Sequence, residues 1–258
     1  MSAGGAAPPA RSQTDVVIDA VKTMLREGNL RAGDRLPIER DLAPRLGVSR
    51  GSLREAVRAL VALGVLESRQ GDGTYVTALD PATLLSPLSF FVEMSEFSSA
   101  AELLAVRRVL EAESASLAAL HLTEVQLAEL EAVLADVDEM VCDLEHIHPE
   151  RTIEADATFH RIIAGACGNS ALAVLIENLS SRTVRARLWR SVNQRESIRS
   201  AHQQHRAILA ELVARNPDRA RVRMSTHLLD VEDFVAAHPY QVALAQDGPV
   251  VPPPRQDG

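Results

Sequence analysis

The stretch that most restricts what this chain can fold into runs from Arg35 to Thr77, RLPIERDLAPRLGVSRGSLREAVRALVALGVLESRQGDGTYVT. A helix is expected from near Pro37, an acceptable first-turn residue, to about Leu46, with Gly47 as its stop. Pro44 falls in the last turn, where losing the bond to the carbonyl of Arg40 distorts the helix without breaking it. Ser49 or Ser52 caps the helix that follows, and Ser52 with Glu55 has capping-box spacing. Leu53, Ala56, Val57, Leu60 and Val61 form its buried face; Arg50, Arg54 and Arg58 stand at i, i+4 and i+8 and share another. Val65–Ser68 and Tyr75–Thr77 read as short strands joined by the glycine-rich tip RQGDG. Helix, tight turn, arginine-bearing helix and hairpin is the order of a winged helix-turn-helix, a DNA-reading element.

A net charge of −8 over 258 residues argues, by itself, against a nucleic-acid partner. The charge is unevenly placed, however. Residues 1–80 carry 11 Lys/Arg and 10 Asp/Glu, residues 81–258 carry 16 and 25, and between 35 and 69 there are 7 arginines against 4 acids. The basic charge is therefore local, as a DNA footprint requires. An arginine stripe alone is usually a solvated helix face. The preceding helix, the turn, and the wing with Gly71 and Gly73 favour DNA reading instead. A recognition helix needs donors in its first turns to reach guanine edges and phosphates, and Gly51 and Ser52 let the backbone approach the groove.

The remainder is expected to be helical. Hydrophobic residues make up 46% of the chain and aromatics only 3%, so the core is Ala, Leu and Val, which suits helix packing better than a β-sandwich. An amphipathic helix covers 14–27, a short linker helix runs roughly from Pro81 to Glu93, and long helices lie near 99–120, 123–145, 150–167, 170–192, 194–215 and 217–237. Thr123 and Gln126 form a capping box; Gly168-Asn169 and Asn216-Pro217 are breaks. The fold class is thus mostly α: an N-terminal winged helix-turn-helix (12–78), a linker with the first bundle helix (79–98), and an antiparallel bundle of about seven helices (99–238). The leader 1–11 lacks the basic and apolar regions of a signal peptide, and the tail 239–258 is expected to be loose. Cys142 and Cys167 fit buried, reduced thiols of a cytoplasmic protein, and no run of about 18 apolar residues offers a membrane span.

A second constellation is Asp156, His160, His205 and His227. Asp156 and His160 stand at i and i+4 and project from one side of a helix. His205 and His227 sit among core-type neighbours, in HRAIL and HLLDV. A carboxylate and three imidazoles converging from three helices suit zinc or another divalent first-row metal. Four scattered residues can equally be core or surface side chains, and the spacing does not decide. The acidic run Asp136–Glu145 reads as a solvated helix face, and His121, His146, His148 and His238, at helix ends or connectors, read as solvent-facing; His202, one turn from His205, could support a metal ligand from behind, but a surface role is favoured.

The motif LPIERDLAPRLGVSRGSLREAVRAL…GVLESRQGDGTYV resembles the DNA-binding domain of the GntR family of bacterial repressors over about residues 12–78. The resemblance implies DNA contacts from Arg40, from Ser49, Arg50, Gly51, Ser52 and Arg54, and from the wing at Gln70 and Gly71. Pro44 is unusual for the family, and Gly51 stands where a larger residue is common. Residues 100–235 resemble the FCD-type ligand-binding domain of the FadR branch, through AVRRVLEAESASLAA, DATFHRIIAGACGN, HRAILAEL and MSTHLL. Many such domains bind a metal through one Asp and three His, which implies that role for Asp156, His160, His205 and His227, with zinc first and nickel or manganese as alternatives. The resemblance also implies that Arg107 faces the pocket and receives an organic acid, as a guanidinium pairs with a carboxylate. The position two before it, often acidic in the family, is Ala105. Arg185, Arg187 and Arg190 are candidates for a second anion contact.

The expectation is a metabolite-responsive regulator, a homodimer on double-stranded operator DNA, not an enzyme, with no membrane partner. Its helical domain binds a divalent metal and a small carboxylic acid that modulates operator binding. The rival readings are a metal-dependent hydrolase fused to a DNA-binding module, and a constitutive repressor with a structural metal.

Overall fold

The computed structural model describes residues 11–94, 100–143, 145, 148–193 and 195–238. The expected leader, apart from Arg11, and the expected tail lie outside them. The chain divides into two compact units, Met1–Pro87 and Leu88–Gly258.

In the first unit, α1 (Gln13–Arg26) opens with a capping box between Ser12 and Asp15. The next helix, α2 (Glu39–Leu46), begins two residues later than expected, with Ile38 as its N-cap, and tolerates Pro44. Gly47 ends it in the left-handed region at φ 67, a conformation that costs glycine least. The cap of α3 (Arg50–Ala62) is Ser49, whose side chain accepts from Ser52 N. Ser52 is therefore the third residue of the helix and not its cap, which removes the expected box with Glu55. Strands β1 (Leu66–Arg69) and β2 (Gly73–Val76) pair antiparallel with Leu66 opposite Val76 and Arg69 opposite Gly73. Arg35 adds a bridge to Tyr75, so the segment before α2 is stitched to the wing. Val17, Val21, Leu36, Leu42, Leu53, Leu60, Leu66 and Val76 bury together as the core of this unit.

A helix containing Pro87, α4 (Pro81–Met94), spans the division between the units. Six long helices follow: α5 (Ala100–His121), α6 (Glu124–Met140), α7 (Pro149–Ala166), α8 (Ser170–Asn193), α9 (Arg195–Val213) and α10 (Pro217–Ala237). The breaks fall where the sequence puts them. Thr123 and Gln126 form the box that starts α6, Asn169 Oδ1 accepts from Leu172 N at the start of α8, and Asn216 caps α10 ahead of Pro217. α10 runs antiparallel along α5, with ion pairs from Arg108 to Glu232 and from Arg221 to Glu113. Small side chains on α5, Ala115, Ala118 and Ala119, let its neighbours close in, and Leu130, Leu134, Phe159, Ile163, Ile208, Leu212, Met224 and Leu228 fill the centre. Cys167 is buried as expected, whereas Cys142 is exposed just past the end of α6; both are free thiols. No helix among the described residues is long and apolar enough to cross a membrane.

Candidate metal centre and DNA-reading surface

Three helices bring Asp156, His160, His205 and His227 together, with one ligand atom from each lying within 4.8 Å of all the others. That spread is compatible with one ion held at about 2.1 Å after small side-chain shifts. His205 Nε2 is 3.5 Å from Asp156 Oδ1 and 3.1 Å from His227 Nε2, and His160 Nε2 is 3.8 Å from Asp156 Oδ1. The three histidines are buried.

The groups behind the cluster decide which ring nitrogen carries the hydrogen. His160 Nδ1 lies 2.5 Å from Glu111 Oε2. Burial pushes the Glu111 carboxyl up, but the Arg107 charge and then His160 outweigh it and hold it well below the usual carboxylate range. An ionised carboxylate only accepts, so Nδ1 of His160 donates and Nε2 turns its lone pair inward. From α9, Gln204 Nε2 donates to Asp230 on α10, which leaves Gln204 Oε1 to accept from His227 Nδ1 at 2.8 Å. His227 Nε2 is then a lone pair as well. The set is short of hydrogens, and His160 Nε2 is buried with no hydrogen-bond partner among the described residues. Inward lone pairs beside a carboxylate are what a cation requires, and hydrogen bonds to the far nitrogen are how metal-binding imidazoles are normally oriented. The donor set fits a divalent metal.

Arg107, which the resemblance implies faces the pocket, is not among the described residues that line the cavity. It is wholly buried, with Nε 2.7 Å and Nη2 2.6 Å from Glu111 Oε1. A guanidinium sealed from water needs a counter-ion, and the carboxylate one helical turn away supplies it. Arg107 thus stands behind the cluster, at the end of the chain Arg107–Glu111–His160, and not among the described residues of the cavity wall. Glu111, Gln204 and Asp230 were not anticipated; the i, i+4 spacing of Arg107 and Glu111 was the one signal for them in the sequence.

The cavity beside the cluster is walled by Asp156, His205 and His227 on one side. Thr152, Arg190, Ser197 and His202 complete its polar lining, and Leu134, Val137, Ile153, Ile198 and Val231 are among its apolar residues. Its volume, as space open to the centres of water-sized molecules, is about 50 Å³. Of the three candidate anion contacts, Arg190 lines this cavity; the side chains of Arg185 and Arg187 lie outside the described residues. Burial pushes the Arg190 guanidinium down from its ordinary value and Asp230 opposes that. Its Nε is buried without a hydrogen-bond partner among the described residues, and its guanidinium carbon lies 5.1 Å from the centre of the Phe234 ring. His202, expected at the surface, is buried and bonded to Asp138, so part of the acidic run on α6 is not a purely solvated face. Of the other histidines, His121 and His148 are exposed, His238 is half-buried with Nδ1 2.8 Å from Phe234 O, and His146 lies outside the described residues.

On the first unit, Arg40, Arg50, Gly51, Arg54, Arg58, Gln70 and Gly71 are all exposed. Arg40 is paired with Asp41 at 3.3 Å, and Arg54 with Glu39 at 2.7 Å. Such exposed pairs are weak and are easily exchanged for phosphate contacts. Ser49 and Ser52 are engaged internally: Gln13 Oε1, from α1, accepts from Ser49 N and from Ser52 Oγ, each at 3.0 Å. Gln13 therefore anchors the start of α3 to α1, a role only the packing reveals. Gly71 turns the wing tip at φ 73, and the Arg69 guanidinium lies over the Tyr75 ring at 4.1 Å. A Cβ at Gly51 would meet nothing closer than Ser49 Oγ at 3.7 Å, so the fold does not require glycine there.

Comparison with known proteins gives the same two parts. Residues 13–76 match the family model of bacterial regulatory proteins of the gntR family, and residues 102–230 match the FCD domain. The HTH-type transcriptional regulator LutR of Bacillus subtilis is 32% identical over 220 residues, covering 83% of this chain and 97% of its own. A putative L-lactate dehydrogenase operon regulatory protein of Escherichia coli is 32% identical over 231 residues, 84% of each chain. A solved structure of a GntR protein of Streptococcus agalactiae superposes with a TM-score of 0.53 at 26% identity, over 85% of this chain and 99% of that one.

Proposed function

The chain belongs to the GntR family of bacterial regulatory proteins, with an FCD domain, and on that ground we propose that it is a metal-dependent, acid-responsive repressor acting as a homodimer in the cytoplasm. The families it matches are those of DNA-binding transcription regulators, not enzymes. The observation that carries the proposal is the convergence of Asp156, His160, His205 and His227 in one cluster, three of whose members, Asp156, His205 and His227, line a cavity together with Arg190.

Asp156 and the three Nε2 atoms would hold the ion, zinc by preference and nickel or manganese as alternatives. The bound ion supplies a positive charge and open positions toward the cavity. Glu111 and Gln204 hold two of the imidazoles in the ligating orientation, and Arg107 keeps Glu111 ionised. Arg190 receives the acid's carboxylate, completing a buried guanidinium whose Nε otherwise lacks an acceptor. A relative named for an L-lactate dehydrogenase operon supports a small carboxylic acid as the signal. Arg40, Arg50, Gly51, Arg54, Gln70 and Gly71 face the operator, with Ser49 and Ser52 framing the first turn of α3. A second copy is favoured by exposed Val109 and Val222, which line one surface groove between α5 and α10. A twofold dimer offers two recognition helices to a near-palindromic site, and the acid would change the spacing at which they are offered.

The test is fluorescence anisotropy with the DNA segment upstream of the chain's own gene, using zinc-loaded protein with and without small carboxylic acids. The expected result is tight binding that an acid weakens. Operator affinity indifferent to every acid would overturn acid sensing, and no DNA binding above the nonspecific level would overturn the regulator reading.

A further inference from the structure

His202 is 6% exposed and lines the cavity one helical turn before His205. Its Nε2 lies 2.6 Å from Asp138 Oδ1 on α6. Asp138 is also gripped by Arg206, which donates from Nε at 3.3 Å and from Nη2, while Arg206 Nη1 reaches Glu131 Oε1 at 2.6 Å. The hydrogen bond from Arg206 and then that from His202 hold the Asp138 carboxyl below its ordinary range, so it accepts and His202 Nε2 carries the hydrogen. In the neutral ring the other nitrogen, Nδ1, is then an acceptor. It is buried and has no hydrogen-bond partner among the described residues.

A histidine needed only to hold Asp138 would have no use for a sealed, unanswered acceptor, and burying one without a donor is unfavourable. Thr152, which lines the same cavity, gives its hydroxyl hydrogen elsewhere, from Oγ1 to Pro149 O at 2.8 Å. A ligand can answer His202 Nδ1. Arg190 on the same cavity wall calls for a carboxylate, and Leu134, Val137 and Ile198 call for a carbon chain. The 50 Å³ available is room for roughly four water-sized groups at about 10–15 Å³ each, so the chain is short.

Resting on the acid-sensing reading above, we propose that His202 is a specificity-determining residue of the cavity, and that the acid recognised is a short hydroxycarboxylate whose hydroxyl donates to His202 Nδ1. Asp138 and Arg206 are positioning residues: they fix which nitrogen of His202 faces the ligand.

The experiment is isothermal titration calorimetry on the zinc-loaded full chain with matched acids, lactate against propionate and malate against succinate. The hydroxylated member of at least one pair should bind about tenfold tighter or more, since a site built for a hydroxyl discriminates against the analogue lacking it. His202→Leu should bring that ratio close to one while zinc affinity, measured separately, is unchanged. His202→Asn, which offers an acceptor oxygen near the position of Nδ1, should retain part of the ratio. Asp138→Asn should lower it by releasing the tautomer, and it keeps the proposal testable if the leucine variant does not fold. Equal binding of both pairs by the wild-type chain overturns the proposal and leaves acid sensing intact. So does a hydroxyl preference that survives in His202→Leu, because the metal site would then be its source. Failure of all four acids to bind the zinc-loaded chain overturns this inference, whereas the acid reading it rests on falls only if operator affinity is also indifferent to every other small carboxylic acid.

Discussion

Replacing Glu111 with Gln separates a functional buried carboxylate from a merely packed one. Glu111 and Arg107 form an ion pair whose side chains are 3% and 0% exposed, so water cannot take over from a lost partner. Breaking a buried pair by removing one charge typically costs about 3–5 kcal/mol. Glutamine keeps the shape and one acceptor oxygen, which points to the lower end, about 3 kcal/mol. At roughly 2–4 °C per kcal/mol for a unit of this size, the helical unit should melt about 6–12 °C lower. The same change removes the anionic acceptor of His160 Nδ1, and losing such a support usually weakens metal binding about 10–100-fold. Thermal unfolding of metal-free and zinc-loaded protein measures the first effect, and competition with a chromophoric chelator measures the second. A double variant, Arg107→Met with Glu111→Leu, sharpens the test. Replacing a whole buried pair by apolar groups is often close to neutral, so stability should largely return while zinc affinity should not, because His160 still lacks its acceptor. The reasoning is refuted if Glu111→Gln melts with the wild type and binds zinc as tightly, or if the double variant restores both properties.

The other expectations can be checked with the same preparations. Arg50→Ala and Arg54→Ala should each weaken operator binding by about 1–3 kcal/mol where a base contact is lost, read by anisotropy; unchanged affinity in both would remove α3 as the reading helix. Gly51→Ala should leave stability unchanged or raise it by up to about 1 kcal/mol, since the site is open and helical, yet weaken DNA binding if close backbone approach matters. Chelation of the metal should lower the melting temperature of the helical unit and leave the winged unit's transition in place; a ligand at about 100 times its Kd contributes about 2.7 kcal/mol. The folded-state pKa of Asp138 is depressed, so its contribution is fully present above the unfolded value of about 4 and is lost as pH falls through the folded one. Melting curves taken from pH 5 down to 3 should therefore fall less steeply for Asp138→Asn than for the wild type, and parallel curves would refute the linkage.

What the sequence discloses and what it hides divides along the range of the interactions. The capping residues Ser49 and Thr123, the break at Asn216, the stop at Gly47 and the apolar faces of the helices are local features, and each falls within a few residues of where its pattern places it. The metal candidates could be named but not joined by spacing alone, because 45 residues separate His160 from His205 and only the packing of α7, α9 and α10 makes them neighbours. Gln204, Asp138 and Gln13 were hidden for the same reason: each acts on a helix that only tertiary packing brings alongside. Arg107 is different. Its partner Glu111 is one turn along the same helix, and an arginine among Leu104, Ala112 and Ala115 on a buried face must carry its counter-ion with it. His202 follows by the same argument. Three residues before His205, it shares the buried side of α9, and a histidine there must account for both ring nitrogens. Asp138 accounts for one of them; the other is buried with no hydrogen-bond partner among the described residues, on a residue that lines the same cavity as Arg190. The control of this regulator is therefore best sought in residues that looked like solvated surface, on α6 and α9, as much as in the metal ligands themselves.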